Sequence, residues 1–391
     1  MLDVAGIQST LKTLDLEAWL LYDFHGINPI ARRVIGLGDD RLATRRWFGL
    51  VPAAGEPVWL HHAIEPHLFA DLPGRRVAFV AYRELVDRLR DLLRGIKRVA
   101  MEYVPGGAIP YVSRVDAGTV EMVRAAGAQV VSSADLVQSF EARWSPEALQ
   151  SHVRAARGLK EVLQATFDHV SRTVRAKEAI TEHSVQQFMA GEFRRRRLVF
   201  EPPIVAVNAH SGNPHYEPRA KGSSPIKKGD LLLLDLWCRE EPAGSVWADI
   251  TWMAYLGKEV PARHKAIWDI VAGARDAAVS FLKEGASLGK RIRGADVDEV
   301  ARNYIRERGY AERFIHRTGH SIGLEVHGNG CNIDSLETID ERQLIPRTGF
   351  SIEPGIYLDD FGVRSEIDVY MDERGVEVTT AVQDHIIPLL A

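Results

Sequence analysis

The chain has 391 residues, 46% hydrophobic and 26% charged; this balance suits a folded chain of two domains and excludes a disordered or collagenous one. Its 49 basic and 53 acidic residues leave a net charge of −4, so no overall field draws it to nucleic acid or anionic lipid. The two cysteines, Cys238 and Cys331, exclude a disulfide framework and a thiolate zinc cage. No apolar run reaches the roughly 18 residues that a membrane helix needs. The opening MLDVAGIQSTLKTLDLE lacks the basic start and apolar run of a secretory signal, so a cytoplasmic protein is expected.

In chain order, residues 1–142 read as an α/β domain. AWLLYD (18–23) is a strand, and 46–51 and 57–61 flank Ala53-Ala54-Gly55-Glu56 as a hairpin. Residues 84–94 carry apolar side chains at 85, 86, 89, 92 and 93, a helical spacing. RVAMEY and AQVVSS add strands, and strands alternating with helices imply an α/β layer. Ser145-Pro146-Glu147 starts a long helix to about Val174, which leads into a second domain, 143–391. Further helices are predicted at 181–196, at 261–283, and from the capping box Asp296-Val297-Asp298-Glu299 to Gly309. Strand pairs 231–237 with 246–256 and 350–358 with 363–371 make this domain α+β. The arginines at 194–197 read as a solvated helix end, where cations suit the C-terminal dipole.

Four carboxylates interrupt these apolar strands. Asp235 follows Leu231-Leu232-Leu233-Leu234, and Asp249 lies within Val246-Trp247-Ala248-Asp249-Ile250-Thr251-Trp252. Glu353 follows Phe350-Ser351-Ile352, and Glu366 sits in Val363-Arg364-Ser365-Glu366-Ile367. A buried ionised carboxylate costs several kcal/mol unless paired or bound to metal. Each hairpin can bring its two acids together, and a divalent cation removes their repulsion. A histidine-rich segment, 316–327, accompanies them. Hard carboxylates with one imidazole suit Mn, Co, Zn or Fe(II), and four carboxylates balance two divalent ions that activate a bridging water.

The order Asp235, Asp249, His320, Glu353, Glu366 resembles the metal set of the pita-bread metallopeptidases, family M24, which includes methionine aminopeptidase, aminopeptidase P and prolidase. Asp249-Ile250-Thr251, Gly319-His320-Ser321-Ile322-Gly323-Leu324, Glu353-Pro354-Gly355-Ile356-Tyr357, Gly362-Val363-Arg364-Ser365-Glu366 and Asn213-Pro214-His215-Tyr216 are similar to the family's words, in order. The resemblance implies a creatinase-type α/β N-terminal domain and a pita-bread catalytic domain. It implies that Asp235 binds one metal, that Asp249 and Glu366 bridge two, and that His320 and Glu353 complete the shell of the second metal. Glu353 would also shuttle the proton of the bridging water. His215 and His327 would contact the peptide and stabilise the oxyanion. Arg364 would orient a ligand carboxylate, and His316 would line the pocket. Manganese is the expected metal, with cobalt or zinc as alternatives. Trp237 stands where the family has Gly, Trp252 where it has Arg, and Gly328 where it has Glu. Trp237 and Trp252 read as core residues.

The intact ligand set separates the chain from creatinase, and the N-terminal domain separates it from methionine aminopeptidase. An Xaa-Pro dipeptidase acting as a homodimer on proline-containing peptides is expected, ahead of aminopeptidase P. A dipeptidase must hold a free carboxylate, for which Arg is best built. Arg45 or Arg46, beside the loop Gly36-Leu37-Gly38-Asp39-Asp40, would reach a partner's site and hold it. Two rivals remain at this level. Gly319-His320-Ser321-Ile322-Gly323 also fits a serine-hydrolase elbow with His385 downstream. A non-catalytic binding protein of the same fold is the other.

Overall fold

The computed structural model describes residues 2–38, 41 and 43–391; Asp39, Asp40 and Leu42, in the loop beside Arg45, lie outside the described residues. The chain divides into two compact units, Met1–Glu141 and Ala142–Ala391.

The first unit runs α1 (Val4–Thr13), β1 (Ala18–Asp23), α2 (Pro29–Val34), β2 (Trp47–Pro52), β3 (Val58–His62), β4 (Arg75–Phe79), α3 (Tyr82–Leu92), β5 (Arg98–Met101), α4 (Ala117–Ala125), β6 (Gln129–Ser132) and α5 (Ala134–Glu141). Its strands form one mixed sheet in the order β4-β3-β2-β1-β5-β6. The β2–β3 hairpin is antiparallel, whereas β1–β5 and β5–β6 are parallel. Every residue of β1 is buried. Alternation explains this: Trp19 and Leu21 pack with Ile7, Leu11 and Val137, while Ala18, Leu20 and Tyr22 pack with Leu85, Leu89 and Val123 on the opposite face.

The second unit opens with α6 (Pro146–Arg175), where Ser145 Oγ accepts the Ala148 N–H at 3.1 Å and Pro146 occupies the first turn. Then come α7 (Glu182–Arg195), β7 (Leu198–Phe200), β8 (Ile204–Val207), β9 (Leu231–Glu240), β10 (Ala248–Tyr255), α8 (Ala262–Ser287) and α9 (Gly294–Arg306). Strands β11 (Ser321–Ile322), β12 (Thr348–Ile352), β13 (Gly355–Tyr357), β14 (Gly362–Arg364), β15 (Ile367–Met371), β16 (Val376–Val378) and β17 (Ile387–Pro388) close the chain. One sheet runs β17-β10-β9-β7, with β8 also on β9; another runs β11-β12-β15-β16; β13 and β14 pair alone.

Strand β9 shows why the leucine run is buried on both sides. Leu232, Leu234, Leu236 and Cys238 pack against Leu159 and Leu163 of α6 and Met189 and Phe193 of α7. Leu231 and Leu233 face the other way, with Trp268 and Val271 of α8 and Val297 of α9. That second face continues as Asp235, Trp237 and Arg239.

Two expectations need correction. The helix expected from Asp296 begins at Gly294; the Asp296 carboxylate lies in its first turn and accepts the Arg293 N–H at 3.1 Å. The strand pair expected over 350–358 and 363–371 is broken into β12–β15 and β13–β14. Both ladders keep one register, Ile352↔Ile367 and Gly355↔Arg364, so Glu353 still faces Glu366. The break has a local cause. Pro354 has no N–H, the Glu353 N–H donates to Thr318 O at 2.6 Å, and the Glu366 N–H donates to Thr251 O on β10 at 3.3 Å. Among the described residues, no helix is long and apolar enough to cross a membrane.

Candidate metal centre

The ladder between β9 and β10 sets Asp235 opposite Thr251 and Asp249 opposite Trp237. The two acids are therefore diagonal neighbours on one face rather than directly paired. His320 precedes β11 and is fixed from both sides: its N–H donates to Ser351 Oγ at 3.0 Å, and its carbonyl accepts the Ser351 N–H at 2.9 Å. Asp249, His320 and Glu366 each present one ligand atom, and these three atoms lie within 4.8 Å of one another in a buried site. His320 Nε2 is 3.7 Å from Asp249 Oδ2 and 3.4 Å from Glu353 Oε1. The fifth residue, Asp235, is held by a close hydrogen bond from Arg364.

Arg364 is thus engaged within the chain. Besides Asp235, it donates to Thr251 Oγ1 at 3.0 Å and to Tyr357 OH at 3.2 Å. Thr251 Oγ1 in turn donates to Glu366 Oε2 at 2.8 Å. His316 lies behind this network, with Nε2 2.7 Å from Tyr357 OH. Burial and the Arg364 charge push its pKa down to about 3, so it is neutral. His327 is exposed, and its ring centroid is 4.3 Å from that of His320. His215 is exposed, and its N–H donates to Asn213 Oδ1 at 3.1 Å. Arg45 and Arg46 belong to the first unit. Arg45 donates to Thr44 O at 3.2 Å, and Arg46 stands 5.8 Å from the Phe24 ring centroid.

The acids carry the electrostatic signature of a cation site. Burial pushes Asp249 and Glu366 well above the usual carboxylate range, and the neighbouring acids push both further. Burial raises Glu353 to about 7, against the lowering effect of Arg364. It raises Asp235 as well, again opposed by Arg364. Burial holds the His320 pKa well below its ordinary value, leaving a neutral imidazole; Nδ1 faces Ser321 O at 3.3 Å, so the lone pair of Nε2 is the one available to a metal. Asp249 Oδ1 is buried with no hydrogen-bond partner. A divalent cation fits this donor set, because it supplies the missing partner and offsets the repulsion. Asp249, His320 and Glu366 would hold it, with Glu353 alongside.

Residues 151–373 match the family described as Metallopeptidase family M24. The chain belongs to that family. This peptidase is 30% identical over 266 residues to a Bacillus subtilis (strain 168) protein named "Putative dipeptidase YkvY", covering 67% of each chain. It spans about half the length of a Staphylococcus saprophyticus relative that it also matches (55%). Among solved structures it resembles the dipeptidase PepE from Mycobacterium ulcerans, with a TM-score of 0.70 and 21% identity over 99% of this chain and 96% of that one. It also resembles the X-Pro aminopeptidase from Thermotoga maritima, with a TM-score of 0.61 and 22% identity over 99% of both. These likenesses establish the pita-bread fold of the M24 peptidase and its α/β N-terminal partner.

The serine-hydrolase elbow does not form in this peptidase. Ser321 is buried in β11, and its Oγ accepts the Gly330 N–H at 3.1 Å instead of meeting a histidine. Sequence reasoning assigned no role to Thr251, Ser351 or Tyr357, although Thr251 and Tyr357 lie inside the quoted motifs. It missed Asp368, whose Oδ2 accepts the Asp249 N–H at 2.8 Å. It also missed Glu182, which is fully buried. Glu182 accepts hydrogen bonds from Val207 N, His210 Nδ1, Tyr216 OH and Ser224 N at 2.9, 2.8, 2.7 and 3.0 Å. Those four donors span the loop that carries His215.

Proposed function

We propose that this M24 peptidase hydrolyses the bond preceding proline in Xaa-Pro dipeptides. The observation that carries the reading is the buried convergence of Asp249, His320 and Glu366 beside Glu353, with one Asp249 oxygen left without a partner. Two divalent ions, manganese first, are assigned to Asp235, Asp249, His320, Glu353 and Glu366. When bound, they would polarise the scissile carbonyl and lower the pKa of a coordinated water. The side chains supply the rest. Glu353, already raised to about 7 by burial, is suited to holding and passing a proton near neutral pH. His327, beside His320, and His215 would donate hydrogen bonds to the peptide and to the oxyanion that forms from its carbonyl. Arg364 and Thr251 would keep Asp235 and Glu366 oriented. The proposal includes a homodimer and a cytoplasmic site of action.

The choice of dipeptides over longer Xaa-Pro peptides draws on the dipeptidase names among the relatives. The test is hydrolysis of Ala-Pro beside Ala-Pro-Ala, by chelator-treated protein and after addition of Mn, Co or Zn. Metal-dependent cleavage of the dipeptide alone is expected. Cleavage of the tripeptide would put aminopeptidase P in its place. Cleavage of neither, by protein with metal bound, would remove the substrate assignment.

A further inference from the structure

The face of β9 that carries Asp235 continues through Trp237 to Arg239. The ladder pairs Trp237 with Asp249 and ends at Cys238 with Ala248; Arg239 and Trp247 are the next residues beyond that end. The Arg239 guanidinium lies 5.6 Å from the Trp247 ring centroid, and its Nη1 donates to Glu240 O at 2.9 Å. Arg239 is half-buried and has no carboxylate partner among the described residues. A cavity of about 360 Å³ opens at this point, lined by Glu201, Arg239, Trp247, Glu325, Val326 and His327 among others. His327, one of the lining residues, is next to His320. Of the acids, Glu201 accepts the Trp237 indole N–H at 3.2 Å.

We infer that this cavity receives the C-terminal residue of a short peptide and that Arg239 takes its free carboxylate; the inference rests on the dipeptidase reading above. The spacing supports it. Trp247 stands just before β10, two residues ahead of Asp249, at most about 6.7 Å of extended chain. In a dipeptide, the scissile carbonyl and the terminal carboxylate are one residue apart, about 3.5 Å, and a charge-assisted hydrogen bond adds about 2.8 Å. A scissile carbonyl held at Asp249 therefore places the carboxylate within reach of Arg239. Each further residue would carry the carboxylate about 3.5 Å beyond it. Trp237, Trp247 and Val326 form one apolar cluster, which suits a pyrrolidine ring. The planar fork of Arg matches a carboxylate, and its perch on an indole costs it none of the donors needed for that contact.

The test compares kcat/KM for Ala-Pro and for Ala-Pro amide in the manganese-loaded full chain, in the parent and in Arg239→Gln. Binding of proline against prolinamide by calorimetry gives a second readout that needs no turnover. Arg239→Gln is expected to reduce the acid-over-amide preference about tenfold or more, mainly through KM. It is expected to weaken proline binding while sparing prolinamide. Arg239→Lys, which keeps the charge but not the fork, serves if the Gln variant melts early, and is expected to recover part of the preference. An unchanged preference in both variants, or its loss in Arg45→Ala or Arg46→Ala instead, would overturn the inference. If the parent cleaves no Xaa-Pro peptide, the dipeptidase reading falls by itself. Arg239 is then judged by proline binding, and equal or absent binding in parent and variant overturns it.

Discussion

Replacing Glu182 with glutamine changes one oxygen into an amino group and leaves the volume nearly the same. In the folded protein, Glu182 Oε1 accepts from Val207 N and His210 Nδ1, and Oε2 accepts from Tyr216 OH and Ser224 N, with His210 Nδ1 also 3.1 Å from Oε2. Replacement of Oε2 leaves Tyr216 OH and Ser224 N facing a donor; replacement of Oε1 does the same to Val207 N and removes the shorter of the two His210 contacts. Hydrogen bonds to a charged group contribute about 1.5–3 kcal/mol each, so two of them amount to about 3–6 kcal/mol before relaxation. Relaxation of the loop recovers part of this, and a net loss of about 3 kcal/mol is expected in urea unfolding with an unchanged slope. The loss should be local as well as global. Amide exchange across 208–224 should accelerate more than exchange in β9, and kcat/KM should fall because His215 lies in that loop. A loss below about 1 kcal/mol with unaltered exchange in the loop would refute the view that Glu182 clamps it.

Two further outcomes are expected. Asp249→Asn removes one buried acid from the cluster, so the chelator-treated variant should melt no lower than the chelator-treated parent. The parent should gain about 2.7 kcal/mol from manganese at a hundred times its Kd, and the variant should gain little; an equal gain would place the metal elsewhere. The second outcome concerns His152, which is fully buried, with Nδ1 2.7 Å from Trp247 O and Nε2 2.7 Å from Thr379 Oγ1. Burial lowers its pKa to about 4 from an ordinary 6.5. The unfolded chain therefore binds a proton at this site before the folded one does. Stability contributed here is complete above pH 6.5 and declines as pH falls towards 4, by about 3 kcal/mol in all. In His152→Gln the difference from the parent should shrink over that window, and a constant difference would show that His152 is not the group responsible.

The residues most legible in the sequence were those whose neighbours in the chain contradict them. An aspartate after four leucines, or a glutamate after Phe350-Ser351-Ile352, announces itself because burial of an acid needs a reason. The long helix from Ser145-Pro146 was legible because cap and first turn are local. The residues that position the site were hidden for the opposite reason. Thr251 reaches Glu366, Asp368 reaches Asp249, and Glu182 reaches Ser224 only after folding, across 115, 119 and 42 residues of chain. Nothing local marks them. The break in the second hairpin was equally invisible, since the hydrogen bond of Glu366 to β10 belongs to the assembled sheets and not to the segment itself.

That break also bears on how the protein would fail. The backbone bond from Glu366 to Thr251 ties the broken β12–β15 region to β10 beside the crowded acids. With cations lost, mutual repulsion would act on the joint itself, and opening there would expose Leu231 and Leu233 on one side and Ile352 on the other. Chelation should then shorten the lifetime of the enzyme on heating and make the β9–β10 region an early site of protease attack, a kinetic weakness set by where the chain chose to interrupt its own strand.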